Sequence, residues 1–152
     1  MKKKLSLIAL LILFTFTLTG CLNKNAKTTD DFIKFGEEKN LKVENVIEQF
    51  SGSDYIKEVY IAGNDKWQVE FYVLSDIETA KKMFTTNASK FESKKAHVSM
   101  ESNISLGNYD SYGLTTGGAY MYVARIDNTL IYLDVDDDYK DDIKEFVKEF
   151  DY

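Results

Sequence analysis

Residues 119–135 read AYMYVARIDNTLIYLDV, and they constrain the architecture of the chain more strongly than any other stretch. Two strand-like runs, 119–126 and 129–135, flank the dipeptide Asp127-Asn128, whose residue types favour a tight turn. The second run alternates apolar residues with polar or aromatic ones, which predicts a strand with one buried face. The stretch therefore predicts an antiparallel β-hairpin. Its inward positions are Ile131, Leu133 and Val135.

The same pattern occurs earlier in the chain. Residues 55–62 and 66–74 are strand-like runs that flank the turn signal Gly63-Asn64-Asp65. In the second of these runs apolar side chains again occupy every second position, which predicts another buried face. The inward positions here are Trp67, Val69, Phe71 and Val73.

Helical patterns follow both hairpins. Ser75 and Glu78 have the spacing of a capping box, which predicts that a helix starts there, and apolar residues recur at helical spacing over residues 138–150. When residues 60–84 are aligned with residues 122–146, seven of 25 positions are identical. The identity is compatible with an internal ββα duplication. It is equally compatible with two unrelated hairpin-helix units, because such units share a polarity pattern.

The rest of the chain predicts one more helix and further strands. A capping box at Thr28 predicts a helix over residues 28–40. A short strand is expected within residues 41–47 and another over residues 98–104, whereas residues 107–118 are expected to contain a turn or an irregular strand. The sequence therefore predicts an α+β fold, an antiparallel β-sheet with helices packed mainly on one face.

Charge and composition indicate which partners and which domain organisation to expect. Residues 21–152 carry 16 basic and 25 acidic side chains, a net charge of −9. Such a surface repels phosphate groups, so nucleic acid is not an expected partner. The length favours a single domain, and ten Phe, ten Tyr and one Trp supply a core that needs no disulfide.

Tyrosines form the main candidate binding surface. Extending the strand alternation across both hairpins predicts a tyrosine-rich open face of the sheet, and the glycine-rich segment 107–118 adds two more tyrosines. Tyrosine offers a large contact area at low entropic cost and is frequent at recognition surfaces. The alternative is that tyrosine, a good strand former, simply covers a half-exposed sheet. The residues concerned are Tyr60, Tyr72, Tyr109, Tyr112, Tyr120, Tyr122 and Tyr132.

Metal and catalytic patterns are weak. Acidic residues within 134–145 match part of a calcium-loop template, but Tyr139 stands where that loop needs glycine, so a strand end followed by an acidic helix start is the favoured interpretation. His97 is the single histidine, and no nucleophile motif lies near it in the sequence. The sequence thus indicates no catalytic residues, no metal site and no cofactor.

The first 21 residues have the features of a targeting sequence. Three lysines, Lys2, Lys3 and Lys4, precede an apolar run of about 14 residues, too short to cross a hydrocarbon core of roughly 30 Å. The run ends in Leu18-Thr19-Gly20-Cys21, which resembles the lipobox of bacterial lipoproteins. This resemblance implies that residues 1–20 are a signal peptide and that Cys21 becomes the diacylglyceryl-modified first residue of the mature protein. Lipidation also accounts for a single, unpaired cysteine.

The resemblance implies a membrane-anchored protein on the extracytoplasmic face. Residues 21–29 are then expected to be the lipidated terminus and a flexible tether, and residues 30–152 a single α+β domain. The remainder looks like small lipoproteins of Gram-positive bacteria, a likeness that assigns no functional residues. We expect a non-enzymatic binding module for an envelope protein, peptide or glycan. The alternatives are an accessory or assembly subunit of a membrane complex and, more remotely, a carboxylate-based envelope hydrolase.

Overall fold

A computed structural model describes residues 23–152, so the leader and Cys21 lie outside the described residues. Within that range the chain forms seven strands, three α-helices and two short 3-10 turns. In chain order these are α1 (Thr29–Glu38), β1 (Lys42–Asn45), a 3-10 turn (Ile47–Phe50), β2 (Ile56–Gly63), β3 (Gln68–Leu74), α2 (Ile77–Glu92), β4 (Ser99–Leu106), β5 (Tyr109–Thr116), β6 (Ala119–Ile126), β7 (Thr129–Asp136), a 3-10 turn (Asp137–Tyr139) and α3 (Lys140–Glu149).

The strands form one antiparallel sheet in the order β1-β2-β3-β7-β6-β5-β4. Its centre is the pairing of β3 with β7, which sets the two sequence-predicted hairpins side by side with Phe71 opposite Ile131. Strands β1 and β4 are the two edges. The predicted α+β fold with an antiparallel sheet is confirmed.

Helix starts follow local hydrogen bonds. At α1 the predicted capping box forms: the Asp31 amide donates to Thr28 Oγ1 at 3.2 Å, and the Thr28 amide donates to Asp31 Oδ2 at 2.8 Å. At α2 the capping residue is Asp76, whose Oδ1 accepts from the Thr79 amide at 2.7 Å. The capping residue therefore lies one position after the predicted Ser75, and its carboxylate makes a charge-assisted hydrogen bond to the Thr79 amide.

Both faces of the sheet carry a hydrophobic core. On the first face, α1 and α3 cover β2, β3, β6 and β7, and Phe32 lies fully buried with its ring 5.0 Å from that of Phe71. On the second face, the longest helix, α2, packs through Ala80 and Phe91 on Leu74 and Leu130. Two helices thus share one face, and the third closes the opposite one.

The two hairpins differ in where their helices go. Each hairpin is followed by a helix, as the sequence alignment suggested, but α2 packs on the second face and α3 on the first. The inward residues of β3 and β7, such as Phe71 and Leu133, nevertheless lie on the same face. The two hairpins therefore bury corresponding positions on the same face of the sheet. The two complete ββα units differ, because their helices pack on opposite faces.

Segment 107–118 is a regular strand with turns at both ends. Residues Tyr109–Thr116 pair without interruption with β4 and with β6. Its glycines obscured this pattern in the sequence. Gly113 lies within the strand at a close approach, where a Cβ would come within 2.8 Å of Ser102 Oγ, and Gly117 and Gly118 turn the chain with positive φ angles of 58° and 83°.

Among residues 23–152, none of the helices combines the length and the apolar character that crossing a bilayer requires.

Candidate functional site

The exposed tyrosine-rich face predicted from the sequence is not formed, and that prediction is wrong. Five of the seven tyrosines keep 9% or less of their surface exposed, and the other two are half-buried. Directly paired residues share a face of a sheet, and Tyr60 pairs with Phe71 while Tyr122 pairs with Leu133, both core positions. The buried tyrosines are Tyr72, Tyr109, Tyr112, Tyr120 and Tyr122, and the half-buried ones are Tyr60 and Tyr132.

These tyrosines also divide between the two faces. On the first face the hydroxyls of Tyr109 and Tyr122 lie 3.0 Å apart, and the rings of Tyr120 and Tyr122 stack with centroids 6.4 Å apart. Burial raises the pKa of Tyr120 to about 12, which keeps its phenol neutral. On the second face Tyr72 donates a hydrogen bond to Glu70. The tyrosines therefore act mainly as packing residues, and the Tyr112 hydroxyl is buried on the second face without a hydrogen-bond partner among the described residues.

Exposed apolar surface lies instead on β4. Every residue from Met100 to Leu106 is exposed, and the large side chains Met100, Ile104 and Leu106 keep 63%, 50% and 47% of their surface. All three lie on the first face, because they pair with Thr115, Ser111 and Tyr109 of β5. We call these three side chains and the free edge of β4 the β4 surface.

The free edge of β4 offers backbone hydrogen-bonding groups. One side of the strand pairs with β5 along its whole length, and no described strand pairs with the other side. An edge strand of eight residues with exposed apolar side chains is a template on which another strand can add.

A shallow groove lies beside the β4 surface on the first face. It has a volume of about 130 Å³ and a floor that includes Gly113 and Tyr120. From α3, the ammonium groups of Lys140 and Lys144 lie 5.7 and 6.0 Å from the centre of the Tyr120 ring. The lining also contains one acidic residue, Glu101, which pairs with Lys95, so the two lysines of α3 leave the groove positively charged next to apolar side chains.

A larger cleft lies on the opposite face, between α2 and the chain that leads from the first 3-10 turn into β2. Its volume is about 480 Å³, within the usual size range of small-molecule sites. No local sequence pattern predicts this cleft, because its two walls are about 30 residues apart in the chain. The lining residues are Phe50, Ser53, Tyr55, Ile56, Thr79, Lys82, Met83, Thr86, Asn87 and Lys90.

The N-terminal segment is held against the domain. The Lys24 amide donates to Asn108 Oδ1 at 2.8 Å, and Asn108 Nδ2 donates back to the Lys24 carbonyl at 2.8 Å. Lys24 Nζ also donates to the Tyr152 carbonyl at 3.1 Å and lies 4.7 Å from the centre of the Tyr109 ring. The expected flexible tether 21–29 is therefore bound to the domain in its described part, from Lys24 onward.

The calcium-loop segment has a different structure. Asp134 and Asp136 belong to β7, and Asp134 forms an ion pair with Lys94 at 2.9 Å. Asp136 caps the second 3-10 turn by accepting from the Asp138 amide at 3.1 Å. The carboxylates of Asp136, Asp137 and Asp138 are exposed and close together, an arrangement that the start of a helical segment explains.

His97, the single histidine, lies exposed in the turn before β4.

Comparisons with known proteins give little further information. No protein-family model matches this chain, and no curated protein sequence is similar to it. Among solved structures, it is similar to a GTP-binding regulator from Thermotoga maritima, with 22% identity, a TM-score of 0.47, and coverage of 84% of this chain and 87% of that one. A similarity at this level supports no conclusion about function.

Proposed function

We propose that the protein is a lipoprotein anchored on the extracytoplasmic face of the cell membrane and that it acts as a non-enzymatic binding module. The β4 surface is the binding site, and its partner is an extended segment of an envelope protein. The observation that carries this proposal is the eight-residue edge strand with three large apolar side chains 47–63% exposed.

Strand addition explains how such a surface binds. A partner segment beside β4 gains backbone hydrogen bonds along the free edge, which provide affinity for any extended chain. Its alternate side chains then lie next to Met100, Ile104 and Leu106, which favours apolar residues at every second position. Lys140 and Lys144 at the neighbouring groove favour an acidic residue in the partner.

The lipid anchor rests on the lipobox-like sequence that ends at Cys21. Two residues lie between Cys21 and Lys24, which Asn108 holds, and the three Cα–Cα steps from Cys21 to Lys24 span at most about 11 Å. An anchor at Cys21 therefore holds the end of the domain that carries Asn108 close to the bilayer. Leu106 lies two residues before Asn108, so β4 runs away from that end toward Met100.

A variant pair tests the binding site. Replacing Met100 and Ile104 with Lys removes the apolar contacts and adds charge, while both side chains remain in solvent. Ile77→Lys is the matched control, because Ile77 is 44% exposed at the start of α2. We expect the β4 variant to lose the proteins that co-purify with the wild type from envelopes, and the control to retain them. Equal co-purification with both variants would contradict the proposal.

The apolar character of the β4 surface also suits the alternative function, an accessory subunit of a membrane complex. The two functions differ in stoichiometry and permanence. A subunit remains bound to membrane proteins at a fixed ratio after extraction in mild detergent, whereas a module that captures a peptide segment dissociates on dilution. Size-exclusion chromatography of the extract at two dilutions distinguishes them.

The anchor has its own test. Cells grown with a tritiated fatty acid should label the wild-type protein and leave Cys21→Ala unlabelled. If the wild-type protein were unlabelled, the proposed lipid anchor would be wrong. The experiment with the β4 variants would still test the binding site.

A further inference from the structure

We propose that the cleft beneath α2 is a binding site for a small amphipathic anion, a compact apolar body that carries a carboxylate or phosphate group. This site lies on the second face of the sheet, away from the β4 surface, and it depends neither on the lipid anchor nor on binding at β4. Four observations carry the proposal: the cleft's size, its apolar lining, its charge and an unpartnered hydroxyl.

The shape and lining of the cleft suit an apolar ligand body. Its volume is about 480 Å³, and large apolar and aromatic side chains contribute to its lining. Phe50, Tyr55, Ile56 and Met83 provide that lining, and Tyr55 keeps 53% of its surface exposed at the cleft. A ligand that covers these side chains removes apolar surface from water, which is the main favourable term in binding.

The charge of the cleft is opposite to that of the domain. Lys82 and Lys90 are the charged residues of its lining, and none of the lining residues is acidic. Within residues 23–152 neither lysine has a carboxylate within ion-pair distance, although the neighbouring Lys81 pairs with Glu78 at 2.9 Å. In a chain whose residues 21–152 carry a net charge of −9, two uncompensated ammonium groups at one cleft favour an anion.

The spacing of the two lysines along α2 determines where the anionic group of the ligand can lie. They lie eight residues apart on one helix, which corresponds to about 12 Å along the axis. Thr79, Thr86 and Asn87 project between and beside them on the same helical face. A ligand can therefore place its anionic group at either lysine and still extend its apolar body along α2 toward Phe50.

An unsatisfied polar atom marks the opposite wall. The hydroxyl of Ser53 is buried, and among the described residues it has no hydrogen-bond partner. A buried hydroxyl without a partner costs free energy, and because Ser53 belongs to the cleft lining, a rotation of its side chain toward the cleft would let the hydroxyl donate to a ligand oxygen. The Ser53 amide, in contrast, donates to the Phe50 carbonyl at 2.8 Å, so the backbone at this wall is held in place.

Photolabelling on the full chain tests the site. The chain as isolated from membranes is placed in lipid nanodiscs and exposed to a diazirine-bearing octanoate, and adducts are mapped by mass spectrometry. We expect saturable labelling at Met83 or Tyr55 that excess octanoate or octyl phosphate suppresses and excess octanol does not. Suppression by one anion alone identifies the carboxylate or the phosphate as the preferred group. Labelling that does not saturate, or that octanol suppresses equally, would overturn the proposal.

Three variants separate this site from non-specific partitioning. Lys82→Gln with Lys90→Gln should weaken labelling by about fivefold, because the anionic group then loses its charge contact at whichever lysine it occupies. Thr86→Trp, on an exposed helical position, should abolish labelling by filling the cleft. Lys34→Gln with Lys42→Gln removes the same charge from lysines 79% and 77% exposed elsewhere and should leave labelling unchanged. Equal labelling in all three variants would overturn the proposal.

Discussion

Removing one partner of the ion pair between Arg125 and Asp110 should destabilise the domain strongly. The two residues face each other on β6 and β5, and the Arg125 side chain is only 2% exposed. Arg125 Nε donates to Asp110 Oδ2 at 2.8 Å, and Nη1 donates to the Asp127 carbonyl at 3.2 Å. Asp110→Asn leaves the guanidinium charge buried without its counter-charge.

The expected loss follows from that burial. Breaking a buried pair by removing one partner typically costs about 3–5 kcal/mol. We expect Asp110→Asn to lower the free energy of unfolding by about 3 kcal/mol. The value is at the lower end of that range because the Asp110 side chain is 16% exposed, so water partly solvates the charge that Arg125 retains. With a urea dependence of about 1.5 kcal/mol per molar, the unfolding midpoint should fall by about 2 M. Fluorescence of Trp67, the single tryptophan, reports the transition.

The pH dependence of this loss has a definite sign. Burial tends to raise the pKa of Asp110, but hydrogen bonds from Ser105 and Arg125 outweigh it and hold the pKa below its usual 3.8. A lowered folded-state pKa contributes stability above pH 4 that disappears as the pH falls through the folded value. The difference between the wild type and Asp110→Asn should therefore shrink below pH 4.

The double variant Asp110→Leu with Arg125→Met is the control. It removes both charges and keeps apolar volume, so it should cost far less than Asp110→Asn alone. An Asp110→Asn midpoint within about 0.3 M of the wild type would refute this reasoning. So would a loss that stays constant from pH 7 to pH 3.

Three further predictions concern other parts of the molecule. Phe32→Ala should cost about 3–5 kcal/mol in urea unfolding, because Phe32 is fully buried in the first core; a loss below about 1 kcal/mol would contradict that packing. Burial raises the pKa of the Glu70 carboxyl, so its charged form destabilises the fold as the pH rises above the usual value of 4.5. Glu70→Gln still accepts from Tyr72 and should therefore raise the melting temperature at pH 7 but not at pH 4. An equal gain at both pH values would show that the charge is not responsible. Asn108→Ala removes both hydrogen bonds to the Lys24 backbone, so trypsin should cleave at Lys24 faster than in the wild type; unchanged cleavage would mean that these bonds do not hold the segment.

Local patterns were sufficient to predict most secondary structure. The run 119–126 matches β6 in full, because its turn residues and its strand formers point to the same structure. The capping box at Thr28 likewise located α1. Segment 107–118 is harder to predict, because glycine is depleted in strands and the close approach of Ser102 to Gly113 across the sheet appears only in the structure.

The candidate site required long-range information. The alternation of Tyr60 and Tyr122 was correct within each strand, but which face they share depends on register with Phe71 and Leu133. Moreover, α2 closes the second face, which the sequence had left open. The exposure of β4 depends on its position at the edge, and strand order is not encoded in any local period.

The measurement that tests the β4 surface most directly is photocrosslinking in living cells, with a benzoylphenylalanine placed in turn at each position of 100–106. Strand addition predicts crosslinks to one segment of one partner, whose crosslinked position advances by one residue for each step along β4. Crosslinks that join two copies of this chain would show that the β4 surface binds a second copy and not an envelope protein. Crosslinks that scatter over unrelated proteins, or that show no ordered advance, would contradict the proposed mode of binding.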